Sequence, residues 1–399
     1  MRASKVHGLT ATLAVLAGGC DVVLGLEHRS LYQPDAGVGS GTTTSSSSAS
    51  SSSTSSSSAS SSGSGGAGGG TSSDCITGQK RCTGDVPQSC DNSGHWQSGT
   101  KCHLYCSEGA CANPPSCIGL PESCGPTGNT ENCCASPVVV GGMYDRSNDT
   151  SFPATISDLR LDRFEITVGR FRAFVNAYDA SPGSKPAVGA GAHPKIPNSG
   201  WQATWTQTLP PDEAGLKTAV KCVAPYDMFT TWTDAVGANE DKPMNCLTWY
   251  QAFAFCAWDG ARLPTEAEWN YAASGGSEQR EYAWSMPPGD KAINSAYAVY
   301  NGAPLATVGS TSAKGDGKWR QADLAGGLWE WNLDWEGNTY SESSCIDCAG
   351  LTQGSSTQRV VRGGGFNDPA SLLLSYDRSY LVAPITHAPD VGARCARMP

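Results

Sequence analysis

The stretch Arg262–Gly276, RLPTEAEWNYAASGG, carries the strongest structural signal in this chain. Thr265 stands three positions before Glu268 and directly after Pro264, a spacing that predicts a capping box at the start of a helix. Capping, together with the favourable position of acids in the first turn of a helix, accounts for both Glu266 and Glu268. We therefore expect neither carboxylate to be catalytic, although paired carboxylates are able to perform acid–base chemistry.

The segments upstream of this stretch predict two further helices and one strand. Thr248 and Gln251 form a second capping box, and Gly260 ends the helix that follows it. Apolar residues recur at helical spacing across 168–178, and the alternation in RLDRFEIT at 160–167 predicts a strand. Much of the remaining sequence is rich in Gly, Pro and Asn. We therefore predict an irregular α+β domain with short strands and long ordered loops.

The N-terminus has the pattern of a signal peptide. Residues 1–10 contain Arg2 and Lys5 but no acid, a short apolar stretch follows, and small residues then lead to Cys20. This apolar stretch is too short for a membrane span. Small residues before a cysteine resemble a bacterial lipobox, which makes Cys20 the expected lipid attachment site and residues 1–20 the signal peptide. Ala17 replaces the usual Leu of a lipobox, so simple cleavage without a lipid is the alternative.

Two distinct segments connect this N-terminus to the main domain. Residues 21–73 are largely Ser, Gly, Thr and Ala, a composition that predicts a disordered tether. Residues 74–135 form a cysteine-rich module, in which we expect disulfides because so short a segment cannot build a sufficient core. Zinc is the alternative, but the paired CxxC spacing of zinc ribbons is missing. His95 and His103 are therefore predicted to be loop residues.

Cysteine count and charge restrict the compartment and the partners. The chain has 17 cysteines: ten lie between Cys75 and Cys134, six lie further on, and Cys20 is left over. Two even sets predict disulfides and an oxidising compartment. The net charge is −10 and no basic run occurs, so we expect no nucleic-acid partner. No stretch has the roughly 20 apolar residues of a spanning helix.

Residues 136–399 contain, in order, the segments RLDRFEITVGRFRAFVNAY, PMNCLTWYQAFAFCAWDGARLPTEAEWNYAASGG, DLAGGLWEWNLDW, RVVRGGGFNDPASL and DVGARCAR. On these segments, the domain resembles the formylglycine-generating enzymes, also called the sulfatase-modifying factor family. The resemblance implies a fold related to the C-type lectin core, with sparse regular secondary structure. It also implies a structural disulfide between Cys256 and Cys395.

The family resemblance also implies a calcium site in DLAGGLWEW. The matching ligands are the side chains of Asp323 and Glu330 and the backbone carbonyls of Gly326 and Leu328. These are oxygen ligands, as a hard cation requires. The alternative is that Asp323 and Glu330 are ordinary turn and helix-end residues.

The same comparison indicates that this chain lacks the copper site of the family. Active members bind Cu(I), which favours thiolates, through two cysteines that follow RGGS. Here the matching positions are Asp368 and Leu373, and the Ser of RGGS is Gly365. We therefore expect no copper. CIDC, at Cys345 and Cys348, is predicted to be a local disulfide rather than a redox pair.

A substrate cleft is implied around Asp368. The resemblance places Trp329, Gly365 and Asp368 in it, with Arg362 and Arg378 close in sequence. Asp368 is a candidate catalytic carboxylate, but FNDP is also a turn sequence, and a lone acid is more often a turn residue. The domain has two histidines, so a three-histidine iron centre is excluded.

Two functional hypotheses follow. The first is an exported, membrane-tethered protein that has lost the oxidase chemistry and binds an extracytoplasmic protein or small molecule, or acts as a scaffold. The second is an oxidoreductase or other modifying enzyme of the wider family, acting on a protein or small molecule in the periplasm. If Cys20 is not lipidated, the protein is secreted.

Overall fold

Both predicted capping boxes are confirmed in the computed structural model of the protein. At the start of the third helix, the side chain of Thr248 accepts a hydrogen bond from the backbone N–H of Gln251, and the side chain of Gln251 accepts one from the backbone N–H of Thr248. Thr265 and Glu268 do the same at the start of the fourth. The four α-helices are α1 (Val168–Ala177), α2 (Glu213–Ala219), α3 (Trp249–Trp258) and α4 (Glu266–Ala273).

The structure describes residues 74–102, 104–179, 184–337, 340 and 344–399, all within one compact unit that spans Gly69–Pro399. The predicted signal peptide, Cys20, the tether and His103 lie outside the described residues. Within the described part of the chain, no helix has the length and apolar character needed to cross a membrane.

Short strands, joined by long loops, form five small sheets in the described residues. The strands are β1 (Lys80–Thr83), β2 (Val86–Cys90), β3 (Trp96–Ser98), β4 (Cys106–Ser107), β5 (Ala110–Cys111), β6 (Val138–Val139), β7 (Gly142–Asp145), β8 (Pro153–Ile156), β9 (Leu159–Leu161), β10 (Trp329–Trp335), β11 (Cys345–Ile346), β12 (Arg359–Arg362), β13 (Leu381–Val382), β14 (Val391–Gly392) and β15 (Ala396–Arg397). The predicted α+β class with sparse regular structure is confirmed.

The sheet that positions the candidate site has the order β13-β12-β10-β14. β12 runs antiparallel to β10 and places Arg362 opposite Glu330, whereas β14 runs parallel to β10 and places Val391 opposite Trp329. β10 is buried along almost its whole length. The two C-terminal sequence segments quoted above are therefore brought against DLAGGLWEW by strand pairing.

The strand predicted across 160–167 is shorter than expected. β9 ends at Leu161, because Asp162 and Arg163 are drawn into buried ion pairs instead of alternating between core and solvent. Asp162 pairs with Arg170 at 2.9 Å, and Arg163 pairs with Asp316 at 2.9 Å. The prediction that the strand continues beyond Leu161 was wrong, because the polar residues of the alternating pattern form buried ion pairs and do not face solvent.

The cysteine-rich module folds against the rest of the unit. Its ten cysteines form five disulfides among themselves: Cys75–Cys90, Cys82–Cys106, Cys102–Cys111, Cys117–Cys134 and Cys124–Cys133. Asp85 of the module pairs with Arg160 at 2.9 Å, and the backbone N–H of Ser116 donates to Asp259 at 2.9 Å. These contacts tie the module to β9 and to the end of α3.

Candidate functional site

Glu268 is a structural acid. Its Oε2 caps α4 through the backbone N–H of Thr265 at 2.9 Å, and both its oxygens accept hydrogen bonds from Arg262 at 2.6 Å. Burial would raise the pKa of Glu268, but Arg262 and His193 outweigh burial and hold it well below its usual value. A carboxylate held ionised and fully paired in this way is not available as an acid or a base.

Glu266 forms ion pairs with Arg362 and Arg378, the two arginines that sequence analysis assigned to the cleft. Its Oε1 accepts from Nη2 of Arg362 at 2.6 Å and from Nε of Arg378 at 2.5 Å. Burial would raise the pKa of Glu266, but Arg378 and Arg362 outweigh it and lower the pKa to about 2. The two arginines thus belong to a buried ion-pair network, and Glu266 and Arg378 of this network line a cavity of about 200 Å³ together with Arg146 and Asp334.

The other three predicted cleft residues do come together. Oδ2 of Asp368 accepts hydrogen bonds from Nε1 of Trp329 at 2.6 Å and from the backbone N–H of Gly365 at 2.8 Å. The backbone N–H of Asp368 also donates to the carbonyl of Gly365 at 3.0 Å, which closes the predicted FNDP turn. The predicted cleft is therefore divided: Trp329, Gly365 and Asp368 form one cluster, and Arg362 and Arg378 belong to the Glu266 network.

Asp390 is a member of this cluster that sequence analysis missed. It is 5% exposed and lies directly before β14, and its carbonyl accepts a hydrogen bond from the backbone N–H of Trp329 at 2.8 Å. A Cβ added to Gly365 would lie 3.3 Å from Oδ2 of Asp368 and 3.3 Å from Cβ of Asp390. Burial, and next the charge of Asp368, raise the pKa of Asp390 to about 7. The only sequence signal was its position in DVGARCAR, beside a residue that pairs with β10.

Tyr380 closes one side of the cluster. Its ring centroid lies 5.2 Å from that of Trp329, and the two planes are tilted by 52°. Burial raises the pKa of its hydroxyl, and the charges of Asp390 and Asp368 raise it further. Asp368 and Tyr380 are partly exposed, and the cluster is therefore open to solvent on their side.

The predicted calcium site contains buried carboxyl groups. Glu330 is fully buried, and Arg394 donates to its Oε1 at 2.6 Å and to its Oε2 at 2.7 Å. Nε1 of Trp269 also donates to Oε2, at 2.8 Å. A carboxylate has about four acceptor positions, so these three hydrogen bonds leave one for a further partner. Asp323 accepts a hydrogen bond from the backbone N–H of Gly309.

Glu165 adds a third buried acid, which sequence analysis did not assign to this site. Its Oε1 accepts a hydrogen bond from the backbone N–H of Leu328 at 3.0 Å. Burial, followed by the charges of Asp323 and Glu330, raises the pKa of Glu165 well above its usual value. Burial likewise raises the pKa of Asp323 to about 6. One guanidinium, that of Arg394, faces three carboxyl groups, so the donor set suits a divalent cation that prefers oxygen ligands.

The cysteines do not suit copper. All sixteen cysteines of the described residues are in disulfides, including Cys256–Cys395, Cys222–Cys246 and the local Cys345–Cys348 pair. Leu373 is fully buried against Gly364, where an added Cβ would lie 2.6 Å from Cδ1 of Leu373. Cu(I) needs thiolates, and the described residues provide none.

A different set of side chains forms the one close group of metal-ligating atoms in the described part of the chain. Cys124, Cys133 and Asp241 bring their ligand atoms within 4.8 Å of one another. The two sulfurs are bonded to each other, so they do not act as thiolate ligands. His193 contacts Glu268 at 3.2 Å and His387 contacts the carbonyl of Cys246 at 2.8 Å, so the two histidines belong to separate structural networks.

The chain is similar in sequence to known proteins. The formylglycine-generating enzyme of Streptomyces coelicolor is 35% identical over 193 residues, which cover 41% of this chain and 57% of that protein. The inactive C-alpha-formylglycine-generating enzyme 2 of Bos taurus is 30% identical over 173 residues, which cover 39% and 50%. The chain thus spans about half the length of these curated relatives.

Among solved structures, PvdO from Pseudomonas aeruginosa is 18% identical, with a TM-score of 0.45, over 66% of this chain and 93% of that one. The family model for the sulfatase-modifying factor enzyme 1-like domain matches residues 126–399, which is more than half of the sequence. This chain therefore belongs to the family of proteins with a sulfatase-modifying factor enzyme 1-like domain.

Proposed function

We propose that this chain is an exported, lipid-anchored protein whose family domain binds a ligand and does not perform copper-dependent oxidation of cysteine. The observation that carries the proposal is the state of the sulfur atoms: every cysteine of the described residues is in a disulfide. At the two positions where the resemblance expects copper ligands, Asp368 is hydrogen-bonded to Trp329 and Leu373 is packed in the core. Neither side chain is able to act as a soft ligand.

The disulfides also support the proposed location. Eight disulfides occur in the described residues, and such bonds persist outside the cytoplasm. Cys20 is the cysteine that remains, and a thioether to lipid would account for it. The relative from Bos taurus whose name describes it as inactive shows that the family includes proteins without the oxidase activity.

Copper loading tests the loss of oxidase chemistry. The mature protein is incubated with Cu(I), its bound copper and free thiols are counted, and oxidation of a cysteine-containing peptide is followed. We expect neither bound copper nor free thiols in the folded domain, and no oxidation. Stoichiometric copper with oxidation of the peptide would contradict the proposal. The double variant Asp368→Cys/Leu373→Cys is the matched control, because it returns thiols to the two positions and should gain Cu(I) binding.

Membrane attachment has a separate test. When the full chain is produced in a bacterium that is fed a labelled fatty acid, label should enter the protein and the protein should sediment with membranes. Cys20→Ser should remove the label and release the protein into the soluble fraction. Label that persists in Cys20→Ser would show that the anchor is elsewhere.

We propose calcium as the structural cation of the DLAGGLWEW segment. Asp323 and Glu330 would hold it through side chains, and Gly326 and Leu328 through backbone carbonyls. The support is the excess of buried carboxyl groups, since Glu165, Asp323 and Glu330 lie near the guanidinium of Arg394. When bound, the cation would favour the ionised form of these carboxyl groups and stabilise the loop before β10.

A second candidate function is an enzyme of the wider family, and the pair of Asp368 and Asp390 favours it. One of these acids has a pKa near neutrality while the other is stabilised by two hydrogen bonds, an arrangement that suits general acid–base work. Once a turnover is identified, Asp368→Ala should abolish it while the domain stays folded. If that variant only weakens ligand binding, the enzyme hypothesis is wrong.

A further inference from the structure

Asp390 has an unsatisfied oxygen in a buried place. The residue is 5% exposed, and its Oδ1 has no hydrogen-bond partner among the described residues. Leaving a buried polar atom without a partner costs about 1–3 kcal/mol, and more for a charged group. Native proteins leave few such atoms, and those that remain often belong to a functional site. A ligand with a hydrogen-bond donor would satisfy this oxygen.

A second carboxylate stands next to Asp390, on the solvent side. Oδ2 of Asp368 is occupied by Trp329 and Gly365, and this fixes the orientation of the carboxylate. A Cβ built on Gly365 would lie 3.3 Å from Oδ2 of Asp368 and 3.3 Å from Cβ of Asp390. Gly365 therefore lies between the two acids, in close contact with both residues.

Aromatic side chains pack beside the two acids. The indole of Trp329 would lie 3.2 Å from the same added Cβ, and the ring of Tyr380 packs against Trp329. Tyr380 is partly exposed. Aromatic carbon therefore lies next to the acids, and the side of Tyr380 is open to solvent.

This combination selects the charge and the type of ligand. Two neighbouring carboxylates repel anions, and a neutral ligand would leave the buried acid uncompensated. A calcium ion prefers six to eight oxygen ligands, whereas this site offers mainly aromatic carbon around two carboxylates. An ammonium group supplies both a positive charge and N–H donors, and aromatic faces attract it further.

We propose that Asp368 and Asp390 form a binding site for a primary ammonium group, carried either by a lysine side chain or by a small alkylamine, with Trp329 and Tyr380 as its aromatic walls. The proposal rests on the binding function proposed above and names the ligand class. In it, an ammonium N–H donates to Oδ1 of Asp390, and the positive charge lies between the two carboxylates. No covalent step is involved.

Calorimetric titration of the mature protein tests the proposal with probes that differ in one feature. Nα-acetyl-lysine methylamide and n-butylammonium carry the ammonium group, and Nα-acetyl-norleucine methylamide and n-butanol are their neutral counterparts. We expect both amines to bind at least tenfold more tightly than their neutral counterparts. Tighter binding of the lysine derivative would identify a protein lysine as the source, and equal binding would identify a small amine.

Variants locate the site. Asp390→Asn and Asp368→Asn should each weaken amine binding at least tenfold, whereas Glu213→Gln, which removes one charge from an exposed surface pair with Lys217, should have no effect. Gly365→Ala should also weaken binding, because its methyl group would press on Trp329, Asp368 and Asp390 without changing charge. It provides a second measurement if either aspartate variant fails to fold.

Three results would overturn the proposal: neutral probes that bind as tightly as the amines, amine affinity that is unchanged in Asp390→Asn and Gly365→Ala, or Ca²⁺ saturation that depends on Asp390 while amines do not bind. None of these results bears on the copper and thiol counts. Failure of the amine site is therefore distinguishable from failure of the proposed non-oxidase function.

Discussion

Arg394 forms a two-point ion pair with Glu330, with Nε 2.7 Å from Oε2 and Nη2 2.6 Å from Oε1, and both side chains are fully buried. Nη1 of the same guanidinium donates to the carbonyls of Asp162 and Arg163, at 3.1 and 2.9 Å. One side chain near the C-terminus therefore joins β10 to the segment that follows β9. The segment DVGARCAR is part of the core framework of the domain.

Breaking this pair should destabilise the domain strongly. Arg394→Leu leaves Glu330 buried without its charged partner, and we expect the free energy of unfolding to fall by about 3–5 kcal/mol. Arg394→Lys should also destabilise, because an ammonium cannot make the same two-point contact. Urea unfolding followed by tryptophan fluorescence measures both. Lys217→Ala, which removes an exposed pair between residues 213 and 217, should cost no more than about 0.5 kcal/mol. Similar losses in all three variants would contradict the argument.

Chelation should lower the melting temperature if calcium offsets the acids around Glu330. EDTA would then expose the repulsion among Glu165, Asp323 and Glu330, and added Ca²⁺ should restore the original value. Asp323→Asn should make the melting temperature insensitive to chelator, and Glu330→Ala should do the same with a larger loss of stability, since it also leaves Arg394 unpaired. Differential scanning calorimetry with and without EDTA checks this. A melting curve that EDTA leaves unchanged in the native protein would argue against the ion.

The two disulfides of the domain that differ most in loop length should differ in their contribution to stability. Cys256 and Cys395 are 139 positions apart, whereas Cys345 and Cys348 are three apart. In the chain-entropy model, closing the longer loop contributes about 5 kcal/mol and closing the shorter one about 2 kcal/mol. Cys256→Ala/Cys395→Ala should therefore lower the free energy of unfolding more than Cys345→Ala/Cys348→Ala. Equal losses in chemical denaturation would show that loop closure is not the main effect.

The stability of the domain should fall as the pH rises through neutrality, in part because of Asp390. Burial, and next the charge of Asp368, raise the pKa of Asp390 from about 3.8 to about 7. The folded state thus binds this proton more tightly than the unfolded state does. This contribution is complete below about pH 4 and is lost as the pH rises through 7.

Asp390→Asn should remove this pH dependence. We expect the variant to match the native protein near pH 4 and to exceed it above pH 7 by up to about 4 kcal/mol. Urea denaturation at pH 4, 5.5, 7 and 8 gives the comparison. Glu213→Gln serves as the control, since its exposed carboxylate should not change the profile. Parallel profiles for native protein and Asp390→Asn would contradict the raised pKa.

Local features of the fold could be predicted from the sequence. The capping boxes at Thr248 and Thr265 depend on residues three positions apart, so neighbouring residues alone determine the geometry. The sparse α+β character followed from the abundance of Gly, Pro and Asn between short periodic segments. The strand predicted across 160–167 was too long, because sequence alternation does not distinguish an exposed arginine from one that is buried in an ion pair.

The candidate site was only partly predictable. The turn around Asp368 and its nearness to Trp329 and Gly365 followed from the quoted motifs, whereas the position of Arg362 and Arg378 did not. Both pair with Glu266, which lies about a hundred positions earlier in the chain. The packing of α4 against the sheet β13-β12-β10-β14 brings these partners together, and no local sequence rule specifies that packing.

The sequence by itself determined the family, the helix starts and the loss of thiols at Asp368 and Leu373, because each depends on residue identity or on short spacing. Tertiary structure alone decided that Asp390 lies beside Asp368 and that Glu165 joins Asp323 and Glu330. These groups meet because β14 pairs with β10, and because residues 323–328 fold back on the segment after β9. Burial then changes their pKa values and leaves one oxygen unsatisfied, since the energetics of a charge depend on its surroundings in three dimensions.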